Sequence, residues 1–204
     1  MKLYYMPGAC SLAANILLRE AGIPVELERV GRDKKTEHGE NFLEVTPKGY
    51  VPALRMDDGD ILTENVVVQN YIADLKPASK LAPAHGTKAR LRQDELAVFI
   101  STEVHKTYSP MFNPATPEDA RQIARDKLAT RYAMIEDMLS DGRAYLTGEN
   151  FTTVDSYLFT VTRWAAATNV DISKFPKLLA WQKRVGARPA VQAALESEGL
   201  GKPS

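Results

Sequence analysis

Apolar positions over the first third of the chain follow strand and helix spacings in turn. Residues 2–6 form a short apolar run, and apolar and charged residues alternate over residues 25–30; both patterns are typical of strands. Between them, apolar residues recur with helical spacing from Leu12 to Glu20, and Gly22 is a suitable C-terminal cap. The order strand, helix, strand predicts a parallel pair joined by a helical crossover.

A second pair of strands follows a polar stretch at residues 31–40. Residues 51–54 and 61–63 flank the acidic turn 57–60, which is a hairpin signal and predicts antiparallel pairing. Pro52 stands where the first of these strands begins, and a proline removes a backbone donor from a sheet. We therefore predict a cis peptide bond between Val51 and Pro52. Helical spacing resumes over residues 64–75.

The remaining sequence is helical in pattern. A proline- and glycine-containing segment without periodicity, residues 77–88, is the predicted linker. Thr152 and Asp155 have the spacing of a capping box, which predicts the start of a helix. The predicted helices after the linker span residues 90–108, 117–140, 154–167, 175–185 and 189–195. The expected fold class is α/β plus all-α: a thioredoxin-like domain with a mixed β-sheet at residues 1–76, and a helical bundle at residues 89–204.

Composition narrows the classes of function. Among 204 residues, 26 Lys and Arg balance 26 Asp and Glu. This balance argues against a general nucleic-acid or membrane-surface binder. One cysteine excludes an intrachain disulfide, and three histidines without ligand spacing give no reason to expect a metal. Since no secretory signal or membrane span is recognisable, we expect a cytoplasmic protein.

Cys10 is the first candidate for chemistry, because it lies where the first strand passes into a helix. The free N–H groups and the dipole of a helix N-terminus stabilise a thiolate, which predicts a thiol pKa below its usual value. Without a second cysteine, any redox step requires a thiol from outside the protein. The alternative is that Cys10 is a small buried apolar residue.

Four further positions describe a receptor for an extended peptide. Val51 offers backbone hydrogen bonds, and Glu64 and Asn65 open a helix whose N-terminus can hold a carboxylate. Lys35 offers a cation, although a solvated surface lysine is the plain alternative. A tripeptide with two carboxylates, an ammonium and a central thiol matches this set, and glutathione is such a molecule.

At this point the chain resembles a known family over nearly its whole length. It is similar to the bacterial, beta-class glutathione transferases. The Val-Pro pair and the capping box are shared across glutathione transferases generally, whereas the Pro-Gly-Ala-Cys-Ser start and the Glu-Val-His-Lys segment are specific to the beta class. The segments that carry the resemblance are residues 1–5, 7–11, 47–52, 62–64, 103–106, 109–110 and 152–155.

The resemblance implies roles for particular residues. Cys10 would face the glutathione sulfur and be able to form a mixed disulfide with it, and His105 would lie near the same sulfur. Lys35 would pair with the glycyl carboxylate, and Val51 with the cysteinyl backbone. The γ-glutamyl end would be held by Glu64 and the amide of Asn65. Residues around Thr102 and Glu103 would reach the partner's site in a homodimer.

Two positions differ from the pattern of the family. Asn65 stands where a glycine or serine is usual, and Val98 stands where several relatives have asparagine. Both changes alter the polar groups available to glutathione and leave the fold unaffected.

The resemblance implies a redox-capable, cytoplasmic detoxification enzyme that adds the glutathione thiolate to a small hydrophobic electrophile. Glutathione is then a co-substrate, and neither a metal, a nucleic acid nor a membrane is expected as a partner. Two alternatives remain open. One is a glutathione-dependent thiol–disulfide or dehalogenase-type enzyme that uses Cys10, and the other is a non-catalytic binder of glutathione or hydrophobic ligands.

Overall fold

The computed structural model describes residues 1–201, which form two compact units. Unit 1 consists of Met1–Ala82 together with residues 187–201, and unit 2 is Pro83–Gly186. This grouping differs from the division by sequence pattern, because the last helix of the described chain packs in unit 1.

Unit 1 contains a mixed sheet of four strands in the order β2-β1-β3-β4. Strand β1 (Lys2–Tyr5) pairs in parallel with β2 (Glu26–Arg29) and antiparallel with β3 (Ala53–Arg55), which pairs antiparallel with β4 (Ile61–Thr63). The predicted crossover and hairpin are both confirmed. The predicted strand 51–54 begins two residues late, because Val51 and Pro52 form a bend joined by a cis peptide bond.

Three helices follow the strands of unit 1 in sequence: α1 (Leu12–Glu20), α2 (Phe42–Val45) and α3 (Asn65–Leu75). Helix α10 (Pro189–Ser197) packs against α1. The amide of Asn15 donates to Glu198 Oε1 at 3.0 Å, and Arg188 forms an ion pair with Glu20 at 2.6 Å. Polar contacts at both ends therefore attach α10 to α1.

Unit 2 is helical throughout its described elements. Its α-helices are α4 (Lys88–Phe99), α5 (Ser109–Phe112), α6 (Glu118–Met138), α7 (Thr153–Thr162), α8 (Trp164–Ala167) and α9 (Pro176–Gly186). None of the helices in the part of the chain that the structure describes is both long and apolar enough to cross a membrane.

The predicted single helix over residues 90–108 is wrong in its geometry. Helix α4 passes into a π-helical segment at Ile100–His105 and then into a 3₁₀ turn at Lys106–Tyr108. A π-helix adds a residue to each turn and so changes which side chains share a face. Likewise, the predicted helix 154–167 is divided into α7 and α8 at Arg163.

The capping box at the start of α7 is confirmed, and it extends into the core. The carboxylate of Asp155 accepts the backbone N–H of Thr152 at 3.0 Å, the backbone N–H of Leu146 at 2.9 Å and Nε1–H of Trp181 at 2.9 Å. Burial raises the pKa of Asp155, and these donors oppose that rise. The start of α7 is therefore fixed by three buried hydrogen bonds.

Candidate functional site

Cys10 lies in the turn between β1 and α1, one residue before the position that caps α1. Its thiol donates to the backbone carbonyl of Val51 at 3.2 Å. Val51 in turn packs against a small core formed by Tyr4, Val30, Phe42 and Ala53. The turn that carries the cysteine is thus joined to the bend before β3.

The predicted lowering of the Cys10 pKa is wrong. The residue as a whole keeps some solvent exposure, but its sulfur is enclosed by protein, and burial raises the thiol pKa to about 12. The backbone N–H groups of Cys10 and Ser11 act in the opposite direction, as expected at a helix start, while the charge of Glu64 adds to the rise. Desolvation exceeds the effect of the two amides, so Cys10 is a neutral thiol at neutral pH.

The start of α3 combines an unusual backbone with an exposed charge. Glu64 is the capping residue and has φ 69°, a left-handed conformation that is uncommon for residues other than glycine. Its carboxylate pairs with Lys48 Nζ at 2.7 Å, and Lys48 also donates to Thr63 Oγ1 at 3.0 Å. A strained residue held in this way is a marker of functional sites.

Asn65 is the first residue of α3 and not its cap. Its side chain is only 8% exposed, and neither its amide oxygen nor its amide nitrogen has a hydrogen-bond partner in the described structure. A buried amide without partners is costly, at about 1–3 kcal/mol for each group. The side chain is therefore available to a ligand or an ordered water at the helix N-terminus.

Lys35 is exposed in the loop after β2, which is bound to the bend before β3 through the neighbouring lysine. Lys34 Nζ donates to the carbonyl of Gly49 at 2.7 Å and lies 5.7 Å from the ring centroid of Tyr50. Gly49 has φ 62°, and a Cβ there would lie 2.8 Å from Leu43 Cδ2, so glycine is required. Of the two lysines, Lys34 is structural and Lys35 is left with its ammonium in solvent.

His105 ends the π-helical segment of unit 2, and aromatic rings surround it. Its Nδ1 lies 2.6 Å from the hydroxyl of Tyr157, and its ring centroid lies 5.0 Å from that of Trp164 in an edge-to-face arrangement. Burial, with a smaller effect of Lys106, lowers its pKa to about 4. At neutral pH the imidazole is therefore uncharged, so His105 does not lower the pKa of Cys10 as a cation.

Thr102 and Glu103 are engaged within unit 2. The hydroxyl of Thr102 donates to the carbonyl of Val98 at 3.0 Å, as threonine often does inside a helix. Glu103 Oε2 accepts from both Nε and Nη2 of Arg131, at 2.9 and 2.7 Å, and lies 3.4 Å from Lys127. These cations lower the pKa of Glu103 and neutralise its charge.

Glu28, Glu37 and His38 bring one ligand atom each within 4.8 Å of one another. Each of them already has a partner. His38 Nδ1 contacts Glu28 Oε2 at 2.8 Å, Lys2 lies 3.6 Å from the same oxygen, and Glu37 accepts from the backbone N–H of Arg29 at 3.0 Å. These contacts therefore connect β2 to the loop that follows it.

Comparison with known proteins decides the family. Residues 1–74 match the model of the glutathione S-transferase N-terminal domain, and residues 99–189 match that of the C-terminal domain. The chain belongs to the glutathione transferase family. A curated relative, glutathione S-transferase GstA of Escherichia coli O157:H7, is 41% identical over 201 residues, which cover 98% of this chain and all of the relative.

Two solved glutathione transferases agree with this over their whole length. The bacterial beta-class enzyme of Sphingomonas chungbukensis is 40% identical, with a TM-score of 0.95 and coverage of 98% of this chain and 100% of the other. A sphingomonad glutathione S-transferase, solved in complex with glutathione, is 43% identical, with a TM-score of 0.94 and the same coverage. The resemblance to beta-class glutathione transferases is thereby confirmed.

Two residues of this glutathione transferase were missed by the sequence analysis. Lys48 is adjacent to Pro47 in a turn, and its pairing with Glu64 across 16 positions leaves no mark in the sequence. Tyr157 lies in an apolar helical run and was treated as part of that run, although its hydroxyl meets His105. The hydroxyl of a tyrosine in an otherwise apolar helix was the signal in the sequence, because a buried tyrosine hydroxyl usually has a hydrogen-bond partner.

Proposed function

We propose that this glutathione transferase binds glutathione in unit 1 and joins its sulfur to the electrophilic carbon of a small hydrophobic substrate. The thiol proton of glutathione goes to solvent, the leaving group of the electrophile, such as chloride, departs as an anion, and the product is a thioether. The observation that carries the proposal is the hydrogen bond from the Cys10 thiol to Val51, with Glu64 close enough to act on the same thiol. It brings together three of the residues that the sequence assigns to glutathione.

The remaining groups fit the two ends of the tripeptide. Lys35 is exposed and would pair with the glycyl carboxylate. The N-terminus of α3 would hold the γ-glutamyl carboxylate, with the Glu64 carboxylate facing the ammonium and the unpartnered Asn65 amide supplying a further hydrogen bond. Val51 would bind the cysteinyl backbone between them. The sphingomonad relative that contains glutathione supports this choice of ligand.

Unit 2 carries an aromatic surface that suits a hydrophobic molecule. Trp164 packs edge-to-face against Tyr108 at 5.5 Å and Phe112 at 5.2 Å between ring centroids. Phe112 is 53% exposed, which is unusual for a large apolar ring. The exposed ring of Phe112 packs against Trp164, which also contacts His105. This exposed aromatic ring supports a hydrophobic substrate.

Cys10 would act as a hydrogen-bond donor to the sulfur of glutathione. Its raised pKa supports this role over that of a nucleophile, because a thiol must lose its proton before it attacks. Conjugation is therefore favoured over the thiol–disulfide or dehalogenase-type alternative. A binder without turnover would need neither Cys10 nor His105, so the presence of both residues favours an enzyme.

We also propose a cytoplasmic homodimer that acts in detoxification, with glutathione redox chemistry as a secondary capacity. Family membership supports the dimer, and the single cysteine suits a reducing compartment. In the dimer, Thr102 and Glu103 would approach the partner's glutathione through their exposed atoms.

The test is calorimetric titration of glutathione combined with a conjugation assay using a chlorodinitrobenzene. Lys35→Ala and Glu64→Gln should each weaken glutathione binding by about 1–3 kcal/mol, because each removes a charge-assisted hydrogen bond. Lys183→Ala, on α9, is the control and should bind like the parent protein. If neither variant changes the affinity, glutathione binds elsewhere; if the parent protein binds but does not conjugate, the binder alternative holds.

A further inference from the structure

The contact between His105 and Tyr157 has a geometry that fixes the imidazole ring. Nδ1 of His105 lies 2.6 Å from the hydroxyl of Tyr157, a short hydrogen bond. The two rings are nearly perpendicular, with an interplanar angle of 84°, and Trp164 contacts the imidazole at 63°. One nitrogen is therefore engaged and the plane of the ring is set, which leaves Nε2 as the free end.

Tyr157 itself has little freedom to move. It is 1% exposed and lies two positions after Asp155, whose three hydrogen bonds fix the start of α7. His105 is carried by the π-helical segment Ile100–His105, and π-helical turns occur frequently at functional sites. The hydroxyl of Tyr157 is thus held in place by α7, and the π-helical segment places His105 next to it.

The charge state of His105 decides what this bond can do. With its pKa lowered to about 4 by burial, the imidazole is neutral at neutral pH. A neutral imidazole carries one N–H and one bare nitrogen, and the partner of one nitrogen selects the other's role. An imidazole nitrogen is far more basic than a phenol oxygen, so the hydroxyl is the better donor of the pair and Nδ1 the better acceptor.

We propose that Tyr157 is a positioning residue that donates its hydroxyl proton to Nδ1 of His105 and so holds the imidazole as the Nε2–H tautomer. The proposal rests on the proposed function, for which the sequence resemblance assigns His105 a catalytic role. In the selected tautomer, Nε2–H can donate a hydrogen bond to an anion. In the other tautomer, Nε2 would present a lone pair, which repels an anion.

The first measurement is the tautomer of His105 in the full, ¹⁵N-labelled chain at pH 7, read from two-bond ¹H–¹⁵N spectra. His105→Gln identifies its signals among those of the three histidines. We expect Nδ1 in the unprotonated range and Nε2 in the protonated range. A wild-type spectrum with the proton on Nδ1 overturns the proposal without any variant at position 157.

The second measurement compares Tyr157→Phe with Tyr132→Phe. The control removes the buried hydroxyl of Tyr132, whose partner is the hydroxyl of Tyr108 at 2.7 Å and not His105. Tyr157→Phe should shift His105 toward the Nδ1–H tautomer and lower kcat on the order of tenfold, with KM for glutathione nearly constant. Tyr132→Phe should change neither the spectrum nor kcat.

Two outcomes contradict the positioning role: an unchanged tautomer in Tyr157→Phe, or a changed tautomer with unchanged kcat. An equal loss of kcat in Tyr132→Phe also overturns it, since the effect would then be structural. A parent protein that lacks conjugating activity contradicts the proposed function instead, and the tautomer spectra then remain as a separate result.

Discussion

Cys10 and His105 are both uncharged at neutral pH for the same physical reason. Moving a charge out of water is costly, so burial disfavours the thiolate of one residue and the imidazolium of the other. It raises the first pKa to about 12 and lowers the second to about 4. In this state the two residues offer hydrogen bonds, and glutathione has to supply the reacting charge.

The thiol of Cys10 should be alkylated slowly in the folded, ligand-free protein. At pH 8 we expect iodoacetamide to react at least about tenfold more slowly than with a free cysteine, because so little thiolate is present. The rate should keep rising above pH 9. Since the chain has one cysteine, the same protein unfolded in urea is the matched control. A rate that levels off below pH 8 would contradict the raised pKa.

His105 should make the fold less stable in mild acid. Its folded pKa of about 4 lies below the ordinary histidine value, so the unfolded chain binds the proton first as the pH falls. As the pH falls from about 6.5 toward 4, the free energy of unfolding decreases, by about 2–3 kcal/mol at pH 4.5. Urea unfolding at pH 7 and 4.5 should show this loss in the parent protein and not in His105→Gln. Equal losses in both would assign the acid sensitivity elsewhere.

At the scale of elements, the first turn of α7 carries both the buried hydrogen bonds of Asp155 and the contact of Tyr157 with His105. Asp155 anchors the turn to Leu146 and to Trp181 of α9, and Tyr157 then reaches His105. A shift in the position of this turn would move Tyr157 and so change its hydrogen bond to His105. The capping box is thus a structural support for the proposed site.

Removal of Asp155 should be severely destabilising. Asp155→Ala leaves the backbone N–H groups of Leu146 and Thr152 and the indole N–H of Trp181 without their acceptor. We expect a loss of about 3–5 kcal/mol in the free energy of unfolding, measured in urea. Asp171→Ala removes an acceptor from the exposed backbone N–H of Ser173 and should cost less than about 1 kcal/mol. Comparable costs at both positions would contradict this account.

Helices and strands were predictable wherever one face is buried, because apolar residues then recur with the spacing of that element. The sheet and the capping box follow from such local patterns. The π-helical segment does not, since residues 100–105 keep enough apolar positions to read as a continuous helix. The charge state of Cys10 was mispredicted because local sequence shows the helix N-terminus but not how much protein surrounds the sulfur.

At the scale of the whole molecule, exposed apolar side chains on two helices bear on association. Val67 of α3 and Leu91 and Val98 of α4 are 48%, 65% and 53% exposed. Leu91 and Val98 are seven residues apart and so share one face of α4. Val98 adds to the apolar character of this face. Such side chains suit burial in a homodimer.

Light scattering at micromolar concentration should give the mass of a dimer for the parent protein. Val98→Glu should give a monomer, because it places a charge on the apolar face of α4. Ile123→Glu, at a position of α6 that is 70% exposed, is the matched control and should remain dimeric. A monomeric parent protein, or dissociation caused equally by both variants, would contradict the proposed homodimer.

The return of α10 to unit 1 has a consequence for synthesis on the ribosome. Unit 2 is continuous in the chain, so all of its residues are available once Gly186 has left the exit tunnel. Unit 1 has to wait, because Asn15 and Glu20 of α1 find their partners only when residues 188–198 emerge. Helix α1 is therefore translated before unit 2 but acquires these contacts after it, and until then its apolar face is exposed to a nascent-chain chaperone.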